Sequence, residues 1–519
     1  MNPYIKICVK FFILTRLFFI SLIIITYNMN LVSKYDLSTD LLSIGESNDK
    51  NIITFIEKII SKFLSYFSSY DATHFVLIAK QDYFNDNMFA FFPLFPWLIR
   101  GLARLFELIL PFKNEYIPFM LSGFILSNII CFGNCLLLFV IIFRLTNSFQ
   151  KSKICTLLFL INPGTIFYIS IYSENLYLLF QLIFIHYVII SGEEKFSELY
   201  NRSINYVKEK RQDYFFQIAC VIIGLLMTRS NSIAVCTYFV IPAFLILFYK
   251  EKYVKLYTYF SFYHNFCHFI RLLSKVFREI GLYVVLSLHA LLCFVYMTKL
   301  KPKWVICSYI KRGKNKGMTK YELFDNWCFH KEIKSGIDSF YSYIQKEYWN
   351  VGFLKQYTFN TLDRIILALP MNILSIYVLY KIYNYFDFSE LIKEFNLGKF
   401  FIHNTIYEDT NILNHNIREH YSLEKNIYRN NITTNAFILG GGLNYLVNFL
   451  ILVFIAHPQI NNRLLTGCPI LYLAICKDVI DFMENNKKGN YKKGFAILLF
   501  FISFAILGCI MQVGSYGFA

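Results

Sequence analysis

IPFMLSGFILSNIICFGNCLLLFVIIF, residues 117–143, runs for 27 residues without one charged side chain. A helix of roughly 20 apolar residues crosses the ~30 Å hydrocarbon core of a bilayer, so this stretch spans with length to spare. In lipid the backbone has no water to bond, and a helix satisfies its own polar groups. Outward from this stretch the pattern repeats: 214–228, 231–249, 280–298, 364–380, 435–456 and 494–514 read as further spans. Residues 5–27 are apolar around Lys10 and Arg16, and no small-residue cleavage site follows. They read as an uncleaved signal-anchor that is also the first span. Over the whole chain 56% of residues are hydrophobic and 16% charged, with a mean hydropathy of +0.44. These features exclude a string of soluble domains. The expected fold is an all-α integral membrane helix bundle, a single polytopic unit over residues 1–519 with about eleven transmembrane helices.

A net charge of +17 at first suggests nucleic acid. The basic residues, however, sit mainly in loops between apolar segments, where the positive-inside rule puts them, and no basic, aromatic-interleaved module is present. With a cytosolic N-terminus, loop 29–88 faces the lumen and holds five lysines against eight acids. Loop 144–153 (Arg144, Lys151, Lys153), loop 250–279 and the Lys487, Lys488, Lys492, Lys493 cluster then read as cytosolic. Loop 299–360 is basic yet falls on the lumenal side, which a long loop tolerates. Sequons at Asn201 and Asn431 fall on the cytosolic side and are expected to be unused. Segment 89–110 carries Arg100 and Arg104 on one helical face, which is costly in mid-bilayer. It is expected as an interfacial or re-entrant helix within a first lumenal loop, 29–110. Residues 384–432 are polar and Asn-rich, and read as a flexible cytosolic insertion. Of the thirteen cysteines, the close pair Cys131 and Cys135 lies within a span with no ligand-type neighbours, so neither a metal site nor a disulfide framework is expected.

This topology gathers five polar clusters on one membrane face: Tyr70-Asp71-Ala72-Thr73-His74, Tyr172-Ser173-Glu174-Asn175, Thr228-Arg229-Ser230-Asn231, Tyr348-Trp349-Asn350 and His457-Pro458-Gln459. Two carboxylates with an arginine suit chemistry that deprotonates a hydroxyl and stabilises a leaving anion. Each cluster also has a plain reading. Asp71 can solvate a loop, Arg229 can snorkel to the interface, and His457 can be an ordinary interfacial histidine. Glu174 is harder to set aside, because it lies between an apolar stretch broken at Asn162-Pro163-Gly164 and another apolar stretch.

The stretch YDATHFVLIAKQDYFNDNMFAFFPLFPWLIR, residues 70–100, resembles the first lumenal loop of the GPI mannosyltransferase 2 family. Asp71, His74, Phe75, Ile78, Ala79, Tyr83, Ala90, Phe91, Phe92, Pro93, Phe95 and Pro96 stand at its motif positions. NPGTIFYISIYSEN (162–175), TRSNSI (228–233) and YSYIQKEYWNVGFLKQY (341–357) follow in the family's order, with HPQINNRLL (457–465) a weaker counterpart of its last motif. Tyr70 stands where the family usually has Trp, and Asp82 where it has Gly.

The resemblance implies a GT-C-type bundle whose first lumenal loop carries the catalytic acid. It implies transfer of mannose from dolichol-phosphate-mannose to the first mannose of a GPI precursor, forming an α-1,6 bond in the endoplasmic reticulum. The donor is β-linked, so the reaction inverts and needs one base with no covalent intermediate. Asp71 is then the base and Glu174 an orienting or shared acid, with Arg229 or Arg463 on the departing phosphate. Tyr348, Trp349 and Asn350 line the sugar site, and His74, Asn231 and His457 complete the substrate-binding set. No cofactor or metal is expected, since a lipid phosphate carries less charge than a nucleotide diphosphate and no Asp-x-Asp motif occurs. Expected partners are membrane lipids, the donor, the GPI precursor and a small accessory membrane subunit. Two alternatives stay open: another dolichol-phosphate-sugar-dependent transferase of the same architecture, and a polytopic transporter or flippase. Against the latter stands the lack of a visible internal repeat.

Overall fold

The computed structural model describes residues 3–29, 52–83, 86–109, 112–200, short pieces between 221 and 238, residue 295, and 340–385, 437–457, 460–485 and 491–513. All regular structure among the described residues is helical. Among the described residues five helices are long and apolar enough to cross a membrane: Pro3–Asn28, Ile117–Thr146, Phe359–Tyr385, Phe437–Phe454 and Tyr491–Gln512. The expected spans at 5–27, 117–143, 364–380, 435–456 and 494–514 coincide with these. Those at 214–228, 231–249 and 280–298, the insertion 384–432 beyond residue 385, and both sequons lie largely or wholly outside the described residues.

Helix α1 is Pro3–Asn28. The first loop is more structured than its polarity suggests. It holds α2 (Ile52–Ser65), α3 (Asp71–Gln81) and α4 (Leu94–Ile109), with a 3-10 turn at Asp86–Ala90. Helix α3 is buried rather than interfacial: Ala72, Val76, Ile78 and Ala79 are fully covered. Its sequence DATHFVLIAKQ is apolar on most sides, so only an enclosed position suits it. Helix α4 has 16 residues, about 24 Å of helix. It buries Phe95, Ile99 and Ala103 and exposes Leu105, Leu108 and Ile109. Arg100, costly in lipid, is accounted for. It donates to the carbonyls of Ala79 and Ile78 and pairs with Asp82 at 2.6 Å, capping the C-terminus of α3.

Helix α5 (Ile117–Thr146) is the central post. At ~1.5 Å per residue it is about 45 Å long, so it projects beyond the hydrocarbon. It stops at Asn147, whose φ of 47° is the left-handed cap, and Ser148 caps the next helix by accepting from the Lys151 N–H. Helix α6 (Phe149–Leu160) rises alongside and is broken where Pro163 has no N–H to give. The five-residue α7 (Thr165–Ile169) follows, then a break at 170–173, then α8 (Glu174–Tyr200). Beyond these come α9 (Phe340–Trp349), α10 (Leu362–Tyr385), α11 (Phe437–Phe454), α12 (Asn461–Leu464), α13 (Pro469–Met483) and α14 (Tyr491–Val513). Helix α13 runs to Met483, close to the Lys487, Lys488, Lys492, Lys493 cluster, with Asp478 and Asp481 buried in it. Asp478 tolerates this position through Lys381 Nζ at 2.8 Å and Tyr377 OH at 2.9 Å from α10.

Candidate active site

Three breaks in helical structure meet at one place. The first is the start of α3. Tyr70 sits at φ 57°, a strained value for a residue with a Cβ, and it turns the chain so that Asp71 opens the helix. The second is the gap between α7 and α8, which leaves Glu174 as the first residue of α8. The third is the short helix α12, which carries Arg463. Both carboxylates thus stand at helix N-termini, where backbone N–H groups favour negative charge.

Arg463 ties them together. Its Nη1 meets Asp71 Oδ2 at 2.6 Å and its Nε donates to Glu174 Oε1. Arg229 Nη2 lies 3.1 Å from the same Glu174 oxygen. Two carboxylates and two guanidiniums make a charge-balanced quartet drawn from four distant parts of the chain. The Arg463 guanidinium also lies over Tyr172 and Phe167, at 4.9 and 5.1 Å from their ring centres. Burial alone would lower the pKa of Arg463; Glu174 and Asp71 outweigh it and push the value up.

The two acids are placed differently. Glu174 is 1% exposed; its Oε1 is shared by both arginines and its Oε2 has no hydrogen-bond partner among the described residues. Asp71 is 31% exposed and engages Arg463 through Oδ2, and no described residue bonds its Oδ1. Asp71 is therefore the acid a ligand can reach, and Glu174 the buried counter-ion that organises the arginines. Gly164 brings α12 close enough for this: a Cβ there would lie 2.5 Å from the Asn462 carbonyl.

The other expected residues that the structure describes form two groups. His74 lies on α3, one turn on from Asp71, and stacks on Phe91 at 4.8 Å. Burial lowers its pKa, with Asp71 partly opposing. Trp349 and His457 form a second pair: His457 Nε2 is 3.1 Å from the Trp349 carbonyl. Tyr348 packs on Trp349, and Asn350, at φ 50°, accepts from Gln356 Nε2 through its carbonyl. The link from this pair to the centre is indirect, through Phe92, whose ring meets Tyr341 of α9 beside Phe91. Asn231 lies outside the described residues.

One residue gains a task that the sequence did not single out within its cluster. Tyr172 donates to the Ser69 carbonyl at 3.1 Å and accepts from Gln512 at 2.8 Å, while its ring faces Arg463. It joins the segment before Asp71 to the segment before Glu174. The signal was present, a tyrosine just ahead of the acid in both clusters (Tyr70 one residue before Asp71, Tyr172 two before Glu174), but pairing across 103 positions is invisible in one sequence.

Comparison with known proteins gives one family and several relatives. The family described as Mannosyltransferase (PIG-V) matches residues 5–516. GPI mannosyltransferase 2 of Drosophila melanogaster is 25% identical over 346 residues, 64% of this chain and 67% of that one. Its counterpart in Drosophila pseudoobscura pseudoobscura is 20% identical over 473 residues, covering 89% and 88%. Human GPI alpha-1,6-mannosyltransferase 2 is 24% identical over 346 residues, covering 62% of this chain and 58% of that one. Among solved structures, the apo Archaeoglobus fulgidus oligosaccharyltransferase aligns with a TM-score of 0.40 at 10% identity, covering 96% of this chain and 56% of that one.

Proposed function

The chain belongs to the PIG-V family of mannosyltransferases, membrane glycosyltransferases, and from that premise we propose that it transfers mannose from dolichol-phosphate-mannose to the first mannose of a GPI-anchor precursor. The bond formed is α-1,6 and the configuration inverts. The reaction takes place on the lumenal face of the endoplasmic reticulum membrane, in a GT-C-type bundle of about eleven spans. The observation that carries this reading is the quartet of Asp71, Glu174, Arg229 and Arg463.

The chemistry asks for a base on one side of the sugar and a cation on the other. The acceptor's 6-hydroxyl attacks C1 of the donor mannose; the C1–O6 bond forms as the C1–O bond to phosphate breaks. The proton passes to Asp71 through its open Oδ1, and the electron pair leaves on dolichyl phosphate. Arg463 has two carboxylates and two aromatic faces already. Among the described residues Arg229 has one ion pair, at 3.1 Å, and the ring of Tyr177 at 5.5 Å. Arg229 is therefore the arginine with donors to spare for the phosphate. Glu174 fixes both guanidiniums. Tyr348, Trp349, Asn350, His74, Asn231 and His457 complete the sugar and acceptor contacts. With guanidiniums facing a phosphate monoester, no metal takes part. Residues 29–110 serve as the catalytic first loop and 384–432 as a cytosolic insertion.

Complementation tests the reading. Cells lacking their own second GPI mannosyltransferase should regain surface GPI-anchored protein and lose the one-mannose intermediate when given the wild-type chain, and Asp71→Asn at equal expression should not rescue. Full rescue by Asp71→Asn removes Asp71 as base. Failure of the well-expressed wild type, with the accessory subunit supplied, favours another dolichol-phosphate-sugar transferase.

A further inference from the structure

Arg16 has no part in the scheme above, yet it is among the most expensively placed residues in the chain. It lies in α1, 12 residues before Asn28 and so about 18 Å from that end at ~1.5 Å per residue. It is 6% exposed. Among the described residues no carboxylate meets it: Nη2 donates to the Tyr168 carbonyl at 3.1 Å and contacts Cys131 Sγ, and the guanidinium lies 4.9 Å from the Phe12 ring. Its Nε and Nη1 are buried without a hydrogen-bond partner among the described residues. A lone guanidinium at this depth persists only where something in the protein requires it.

The requirement is visible in α7. This helix ends at Ile169, level with the middle of two membrane-spanning helices, since Arg16 of α1 and Cys131 of α5 meet there. A helix C-terminus leaves carbonyls without partners, and the membrane supplies no water for them. Side chains from other elements supply the donors. Arg16 takes the Tyr168 carbonyl, Asn128 of α5 takes that of Ile169 at 3.0 Å, and Asn175 reaches both Tyr168 and Ser127 at 2.9 Å. Asn134 then holds the Asn175 carbonyl at 2.9 Å. Glu174 stands inside this clamp, five residues after Ile169 and one before Asn175.

We propose that Arg16 is a positioning residue: from the first span it caps the C-terminus of α7 within the membrane and so holds Glu174 at fixed depth beneath Arg463 and Arg229. The proposal rests on the transferase reading for its kinetic consequence only.

The experiment uses Arg16→Met, which keeps the length and removes the buried charge. It should reach the membrane in wild-type amount with thermal stability equal to or above wild type. Mannose transfer should fall by about ten-fold or more in kcat, since small misplacements of a catalytic group are costly, with KM for donor and acceptor little changed. In a Glu174→Gln background Arg16→Met should cost nothing further, because both act through one residue. A multiplicative loss there, or unchanged kcat in the single variant, overturns the proposal. If Arg16→Met fails to accumulate, Arg16→Gln carries the same test, since it removes the charge and its shorter side chain withdraws the donor from the Tyr168 carbonyl. A second readout is independent of any reaction. A cysteine placed by Ser173→Cys, where the native side chain is 3% exposed, should label with a polar maleimide faster in Arg16→Met than with Arg16 intact. Equal labelling rates overturn the proposal, whereas absent mannose transfer with faster labelling overturns only the transferase reading.

Discussion

Arg463→Met tests the centre of the site through stability alone. The substitution keeps an unbranched chain between Tyr172 and Phe167 and removes the charge that Glu174 and Asp71 share. Breaking a buried ion pair by deleting one partner costs ~3–5 kcal/mol, because the other charge is left behind. Glu174, 1% exposed, is such a case, but Arg229 remains 3.1 Å away and sets the cost at the lower end, about 3 kcal/mol. Asp71 is 31% exposed and turns to water, so its pair adds no more than ~1 kcal/mol. The expected loss is thus ~3–4 kcal/mol. Adding Glu174→Gln removes the stranded carboxylate, so the double variant should be more stable than the sum of the two single losses by ~1–3 kcal/mol, the usual coupling for residues in one network. Reversible unfolding by SDS titration in mixed micelles measures all four corners of the cycle. Strict additivity within ~0.5 kcal/mol refutes the pairing, whatever happens to mannose transfer.

Other parts of the site make separate demands. Tyr172→Phe keeps the ring over Arg463 but strands the buried Ser69 carbonyl and the Gln512 amide; it should cost ~1–3 kcal/mol in the same titration, and kcat should fall more than KM rises. Gly164→Ala places a methyl 2.5 Å from the Asn462 backbone oxygen, which a side-chain rotation cannot relieve; transfer should drop by about ten-fold or more as α12 and Arg463 shift, and an unchanged rate shows that α12 does not sit against Gly164. The pKa of His74 is lowered by burial from its ordinary 6.5. The unfolded chain therefore binds this proton more tightly than the folded one, and stability should fall as pH drops below about 6.5, until folded His74 also takes the proton. His74→Phe, which can still stack on Phe91, should flatten that acid limb in a pH series of melting temperatures.

Much of the architecture was legible because membrane spans are written in one dimension. The 117–143 run is a span on length and charge alone, and the structure needs nothing further to place it. What the sequence hid was tertiary compensation. Arg100 looked only like a charge too costly to bury, because its partners, the C-terminal carbonyls of α3, become acceptors only once that helix ends. Nothing in the sequence marks Asp478 as a buried acid, because its partner Lys381 lies nearly a hundred residues away. The same holds for the site. The clusters containing Asp71, Glu174 and Arg229 were visible as polar interruptions, but Arg463 as their common bridge was not. A bridge is defined by what it touches, and Asp71 lies 392 positions from it.

The placement of the quartet explains why it needs both signs in equal number. A site that deprotonates a hydroxyl needs a carboxylate, and one that releases phosphate needs a cation; in a low-dielectric setting either alone is expensive. Pairing them removes that cost and also occupies both, since Arg463 holds carboxylate oxygens and Glu174 holds guanidinium donors that a substrate would otherwise meet. The asymmetry between the two acids resolves this. Glu174, sealed and shared by both arginines, bears the balancing role, so Asp71 can keep one oxygen free at the open edge. Exchange of their roles by Asp71→Asn should therefore abolish transfer with little loss of stability, whereas Glu174→Gln should impair both together. If the two substitutions give the same pair of effects, the division of labour between buried counter-ion and exposed base is wrong.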